Sequence, residues 1–309
     1  MRAVRLHQYG GLDRLTLEQI DKPTINADDI LIQVKAAAVN PVDWKIREGY
    51  LKDFIPYDLP VTLGWDLAGI VTQVGENVDQ FSVGDEVFSR PNIARNGSYA
   101  DYIAVKADEA VLKSTKLDFA QAATLPLAGI TAWQCLVDVA DIQPGQRVLI
   151  HAGAGGVGHL AIQIAKAKGA IVVATASSTN LELLTQLGAD EAIDYAKAPL
   201  AEQISPVDLV LDTMGGGIQQ SSWSLLKPEG MMVSVVEPPS EETAKQHNVQ
   251  AAFVFIEPSS RILTELNKLV ESDQLRPLIE HRFPLEKIAE AHQQSESGRT
   301  RGKIVIDVS

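Results

Sequence analysis

Residues Arg147–Ala170 read RVLIHAGAGGVGHLAIQIAKAKGA: an apolar run, a glycine-rich turn, and then apolar residues at helical spacing. A strand that turns on glycine directly into a helix leaves the first-turn amides of that helix free, with partial positive charge where a phosphate can sit. In the sequence Gly153-Ala154-Gly155-Gly156-Val157-Gly158, the first glycine is expected to make the tight turn. Gly155 would let a pyrophosphate approach the backbone, and Gly158 would let helix and strand pack closely. The stretch therefore predicts the first crossover of a dinucleotide-binding unit.

The same rhythm continues downstream. Strand AIVVATA, helix NLELLTQLG, strand EAIDY, strand VDLVLD closed by TMGG, helical SSWSLLKPEG and the strands MMVSVV and AAFVFI follow in order. Strands alternating with amphipathic helices imply a parallel sheet covered on both faces. Upstream, DDILIQVKAAAV, LAGIVTQVG and SYADYIAVKADEAVLK read as strands closed by turns, and KIVIDV near residue 308 reads as a last strand. The fold class is α/β, with a doubly wound parallel sheet beside a second, strand-rich domain.

Composition narrows the function classes. Against 27 Lys and Arg stand 40 Asp and Glu, a net charge of −13 over 309 residues, which repels polyanions and excludes nucleic acid as a partner. Cys135 is the single cysteine, so neither an internal disulfide nor a four-thiolate zinc site can form; its place in TAWQCLVDVA suggests core. No apolar run suggests a membrane span or a secretory leader, which leaves the expectation of a cytoplasmic protein without a membrane partner. The six histidines show no metal-ligand spacing and GxSxG is absent, so neither a metal site nor hydrolysis is supported.

About 20 residues beyond the glycines, an NAD site presents Asp or Glu to the ribose 2′-hydroxyl. Here stand Thr175, Ala176, Ser177 and Ser178. No carboxylate repels a 2′-phosphate and two hydroxyls can donate to it, which favours NADPH. The alternative is that the serines cap the following helix.

The segments AAAVNPVDWKIREG, PVTLGWDLAGIVTQVGENVDQFSVGDEVF, LPLAGITAW, HAGAGGVGHLAIQIAKAKGA, LGADEAIDY and GKIVIDV, in that order, resemble the zinc-free quinone oxidoreductase branch of the medium-chain dehydrogenase/reductase superfamily. The resemblance implies a Rossmann domain over about 124–266 inserted into a partly open, GroES-like β-barrel domain made of 1–123 and 267–309. It also implies a homodimer and a quinone or α,β-unsaturated carbonyl substrate. Zinc-dependent relatives carry cysteine, histidine and glutamate where this chain has Asn40, Trp65 and Asp66. Carried over residue by residue, Asn40 and Asp43 would lie near the nicotinamide, Thr131 near its ribose and Tyr195 beside the 2′-phosphate. Met214, Gly215, Val235, Phe255 and Lys303 would line the cofactor. Asn40, Asp43 and Trp65 are the candidate catalytic residues, and no general acid stands out. A catalytically idle NADPH-binding sensor or crystallin-like protein, and an atypical alcohol dehydrogenase, are the competing functions.

Overall fold

A computed structural model describes residues 1–308 and divides them into two compact units. The first comprises Met1–Leu127, Glu257–Glu271 and residues 277–308, and the second Ala128–Ile256 with Ser272–Arg276. The helix Ser260–Glu271, which a boundary at 266 would cut, lies whole in the first unit.

The first unit is built on strands. β1 (Arg2–Leu6) and β2 (Leu15–Gln19) form an antiparallel pair. β3 (Asp29–Val39) is the long central strand, followed by β4 (Leu67–Val74), β5 (Glu86–Ser89), β6 (Tyr102–Lys106) and β7 (Ala110–Leu112). β3 pairs on one side with β4 and also meets β6; its other neighbour is β15 (Lys303–Asp307), the last strand of the chain. β14 (Ile279–Pro284), not anticipated from the sequence, lies parallel to β15. The closing strand thus lies in the same sheet as β3. The barrel interior is filled by Val4, Leu6, Ile30, Ile32, Val34, Leu67, Val71, Ile304 and Ile306, which alternate inward along their strands.

The second unit contains β8 (Arg147–Ile150), β9 (Ile171–Ala176), β10 (Glu191–Asp194), β11 (Val207–Asp212), β12 (Leu226–Ser234) and β13 (Gln250–Phe253). All are parallel, in the order β10-β9-β8-β11-β12-β13. The order reverses between β8 and β11, and ligands of such sheets sit beyond the carboxyl ends of the strands at that switch point. The apolar runs of β8, β9 and β11 are buried because helices cover both faces. Two local readings change. KPEG belongs to β12 and not to the preceding helix, and a helix Glu241–His247 capped by Ser240 intervenes before β13. Among the described residues no helix is long and apolar enough to cross a membrane.

Candidate functional site

In the second unit, every residue expected at the cofactor except Thr131 lies at or just beyond the carboxyl end of a strand. The glycine turn follows β8, Ser177 and Ser178 follow Ala176 at the end of β9, and Tyr195 follows β10. Met214 and Gly215 follow β11, Val235 follows β12, and Phe255 comes two residues after β13. Thr131 is buried in the helix Pro126–Trp133.

The glycine turn is tied back to the sheet by the Gly153 N–H, which donates to the Thr175 carbonyl at 2.8 Å. The residue just before the glycines, Ala152, takes the left-handed conformation (φ 47°). What Gly153 supplies is space, because a Cβ there would come within 2.9 Å of Leu184 Cδ2 and 3.0 Å of Ala174 Cβ. The helix Gly158–Ala167 that follows has no side-chain cap at Val157. Among the described residues no acceptor is found for the N–H groups of Gly156, Val157 and Gly158. Three free amides at the start of a ten-residue helix form a donor array suited to a diphosphate. A Cβ at Gly155 would have only Ala152 within 4 Å, its carbonyl oxygen at 3.2 Å, so that side of the turn is open. A dinucleotide fits these groups.

The serines do not cap the next helix through their side chains. Ser177 Oγ instead accepts from Asn180 Nδ2 at 3.1 Å and lies 3.1 Å from the Thr179 hydroxyl, leaving Ser178 exposed. Asp194 aligns with Ala176 in the β10–β9 register, and the Tyr195 N–H donates to the Ala176 carbonyl, so Tyr195, 54% exposed, stands beside the serine loop.

Asp212, which the sequence reading passed over, fixes the neighbouring loop. One carboxylate oxygen accepts the N–H groups of Met214 and Gly215, both at 2.9 Å; the other accepts Gln219 Nε2 and Ser234 Oγ. Burial opposes its charge, yet these donors hold its carboxyl below the usual range. A carboxylate at the end of the apolar strand VDLVLD, just before Met-Gly-Gly, was the available signal. His151 is out of reach of proton chemistry, because burial pushes its pKa down to about 4. Ser222 Oγ donates to the Ile218 carbonyl and so accepts from His151 Nε2, which leaves Nδ1 to accept from Thr175.

In the first unit, Asn40, Asp43, Asp66, Tyr99 and Lys303 converge in the interior. Asn40 caps the helix Pro41–Arg47, its backbone N–H donating to Asp43 Oδ2 at 2.7 Å. Tyr99 donates to the same oxygen at 2.6 Å, while Asp43 Oδ1 has no partner. Burial without a paired cation raises the Asp43 carboxyl to about 7. Asn40 Nδ2 donates to Asp66 Oδ2 at 2.8 Å, and Asp66 Oδ1 accepts the Leu127 N–H at 2.6 Å.

Two of the expected residues lie inside the barrel. The Lys303 ammonium is buried against Asn40 Oδ1 (2.5 Å) and Asp66 Oδ2 (3.0 Å). Trp65 is fully buried and stacked on Tyr57 with centroids 6.2 Å apart, packing in the barrel wall. Zinc does not fit these positions. Asn40 and Trp65 offer no anionic or imidazole donor, and Asp66 already neutralises an ammonium. Among the described residues no three His, Cys, Asp or Glu side chains are grouped for a metal.

The sequence matches two family descriptions, alcohol dehydrogenase GroES-like domain over residues 26–115 and zinc-binding dehydrogenase over residues 187–306. The chloroplastic NADPH-dependent alkenal/one oxidoreductase of Arabidopsis thaliana is 38% identical, over 99% of this chain and 79% of the relative. The quinone oxidoreductase structure from Coxiella burnetii superposes with a TM-score of 0.93 at 39% identity, over 100% of this chain and 99% of the other. The Escherichia coli quinone oxidoreductase complexed with NADPH does so with a TM-score of 0.91 at 27% identity, over 100% of both chains.

Proposed function

The chain belongs to the medium-chain dehydrogenase/reductase superfamily, with the GroES-like and dehydrogenase domains of that family, and on this premise we propose that it is a zinc-independent, NADPH-dependent oxidoreductase that reduces quinones or α,β-unsaturated carbonyl compounds. The observation that carries the reading is the array of free amides at Gly156, Val157 and Gly158, set beside a β9 end that bears hydroxyls and no carboxylate. The names of the relatives, alkenal/one oxidoreductase and quinone oxidoreductase, agree with it.

NADPH supplies a hydride from its reduced nicotinamide, and the difficult chemistry belongs to that ring. The protein's contribution is binding, orientation and electrostatics. The glycine-turn amides would hold the diphosphate and Ser177, Ser178 and Tyr195 the 2′-phosphate, while Asp212 keeps Met214 and Gly215 in place. As hydride reaches an enone or quinone, negative charge grows on the carbonyl oxygen, and a fixed donor there lowers the barrier. Asn40 supplies that donor through the second proton of its Nδ2, the first being given to Asp66. We further read the protein as a homodimer, supported by β13, an outer strand of its sheet that leaves Phe253 41% exposed.

The test is NADPH oxidation with a panel of quinones, enones and simple alcohols, run before and after chelator treatment. Reduction of quinones or enones that survives chelation is the expected outcome. Turnover of alcohols alone, or loss of all activity with the chelator, would refute the reading, and NADPH binding with no turnover would favour the idle binding protein.

A further inference from the structure

We propose that Lys303 is a positioning residue, an internal ammonium that locks the side-chain amide of Asn40 in one of its two orientations; the inference rests on reading Asn40 as the donor to the substrate oxygen. The three partners are far apart in sequence and are gathered by strand pairing. In the antiparallel register Val39 is opposite Ile304, so Asn40 and Lys303, at the ends of β3 and β15, become neighbours. Asp66, immediately before β4, joins them from the other side of β3, where its carbonyl accepts the Ala38 N–H at 3.3 Å.

The triangle that results has only one solution. An ammonium can only donate and a carboxylate can only accept, so the amide must turn its oxygen to Lys303 and its nitrogen to Asp66. A flipped amide would set NH2 against NH3⁺ and carbonyl against carboxylate, two repulsive contacts in a site where Asn40, Asp66 and Lys303 are all buried. Asp66 cannot follow such a flip, because its other oxygen is held by the Leu127 N–H. The Asn40 backbone N–H is also committed, to Asp43. One donor remains, the second Nδ2 proton, and its direction is set by the lock. The ammonium on Oδ1 also draws electron density through the amide, which strengthens that N–H as a donor.

The decisive comparison is between Lys303→Met and the double variant Lys303→Met/Asp66→Asn. The single variant strands a buried carboxylate and loses stability. The double variant is neutral and regains melting temperature, but its one carboxamide oxygen is taken by the Leu127 N–H, so an NH2 group faces Asn40 and the lock is not restored. We expect kcat for the quinone or enone to fall by about tenfold or more in both, with the NADPH Kd within about threefold of wild type. Recovery of kcat together with melting temperature would overturn the proposal, because Lys303 would then be only a counter-ion. So would an NADPH Kd raised about tenfold in the single variant, the mark of a cofactor ligand. Should the wild type reduce no quinone or enone, the function reading fails by itself, and the lock is read from the Asn40 side-chain amide resonances. Slow exchange in the wild type that is lost in the double variant upholds it, and unchanged exchange overturns it.

Discussion

Two glycines of one motif should fail in different ways when each is given a methyl group. At Gly158 a Cβ would lie 2.3 Å from the Ala152 carbonyl oxygen and 2.8 Å from Gly153 Cα. A carbon–oxygen contact normally needs about 3.3 Å, so roughly 1 Å must be found between backbone segments that cannot swing aside. Overpacking of this kind costs about 1–3 kcal/mol. In a unit of this size it lowers the melting temperature by roughly 3–10 °C, and it shifts the amides proposed to hold the diphosphate. At Gly155 the nearest atom, the same carbonyl oxygen, would be 3.2 Å away and nothing else comes closer than 4.0 Å. Gly155→Ala should therefore cost less than about 1 kcal/mol of stability while obstructing the open side of the turn, weakening NADPH by about tenfold or more, or 1.4 kcal/mol. Thermal melts with and without NADPH, together with calorimetric Kd values, separate the two. Gly155→Ala binding NADPH as tightly as wild type, or Gly158→Ala melting with it, would show that the turn is not the cradle described here.

Asp212→Ala leaves two amides, Gln219 and Ser234 without their buried acceptor, and should cost about 3 kcal/mol or more in denaturant titrations while weakening NADPH binding. Because the folded-state pKa of Asp212 lies below 3.8, its contribution is present above that pH and is lost as pH falls through the folded value; the variant should lose this acid-sensitive component, and an unchanged acid limb would refute the assignment. Asp43 has the opposite sign. Its folded pKa is raised from 3.8 to about 7, so stability should decline as pH rises from about 4 to 7, by about 4 kcal/mol at most, and Asp43→Asn should flatten that slope in urea midpoints taken across this range. Phe253→Glu on the outer edge of β13 should shift sedimentation from dimer to monomer without lowering the melting temperature of the second unit, and a wild-type monomer would remove the dimer from the account.

The second unit was legible because its signals are local. Each strand is a short apolar run, each crossover helix has its own periodicity, and the glycine turn sits between one of each, so the parallel sheet and the residues beyond its strand ends follow from neighbours in the chain. Where partners are distant, the letters are silent. β14, IEHRFP, alternates polar and apolar residues too weakly to declare a strand, and it exists because β15 lies beside it. Lys303 is a second case: nothing in GKIVIDV says that its first strand residue will lie next to Asn40. Trp65 carried an aromatic ring that could face a substrate or a core, and only the stack on Tyr57 decides. Just before the glycines, Ala152 takes the left-handed conformation at φ 47°.

The position of β15 between β14 and β3 sets an order of assembly during translation. β3 leaves the ribosome more than two hundred residues before β15, so the end of the longest strand, Ala36 to Val39, must wait for its partner on one edge while the parallel sheet between them is made and can close. The ammonium that settles Asn40 and Asp66 arrives with this last strand. A nascent chain therefore acquires its nucleotide cradle first, and the polar triangle of the barrel becomes complete only when synthesis is nearly finished.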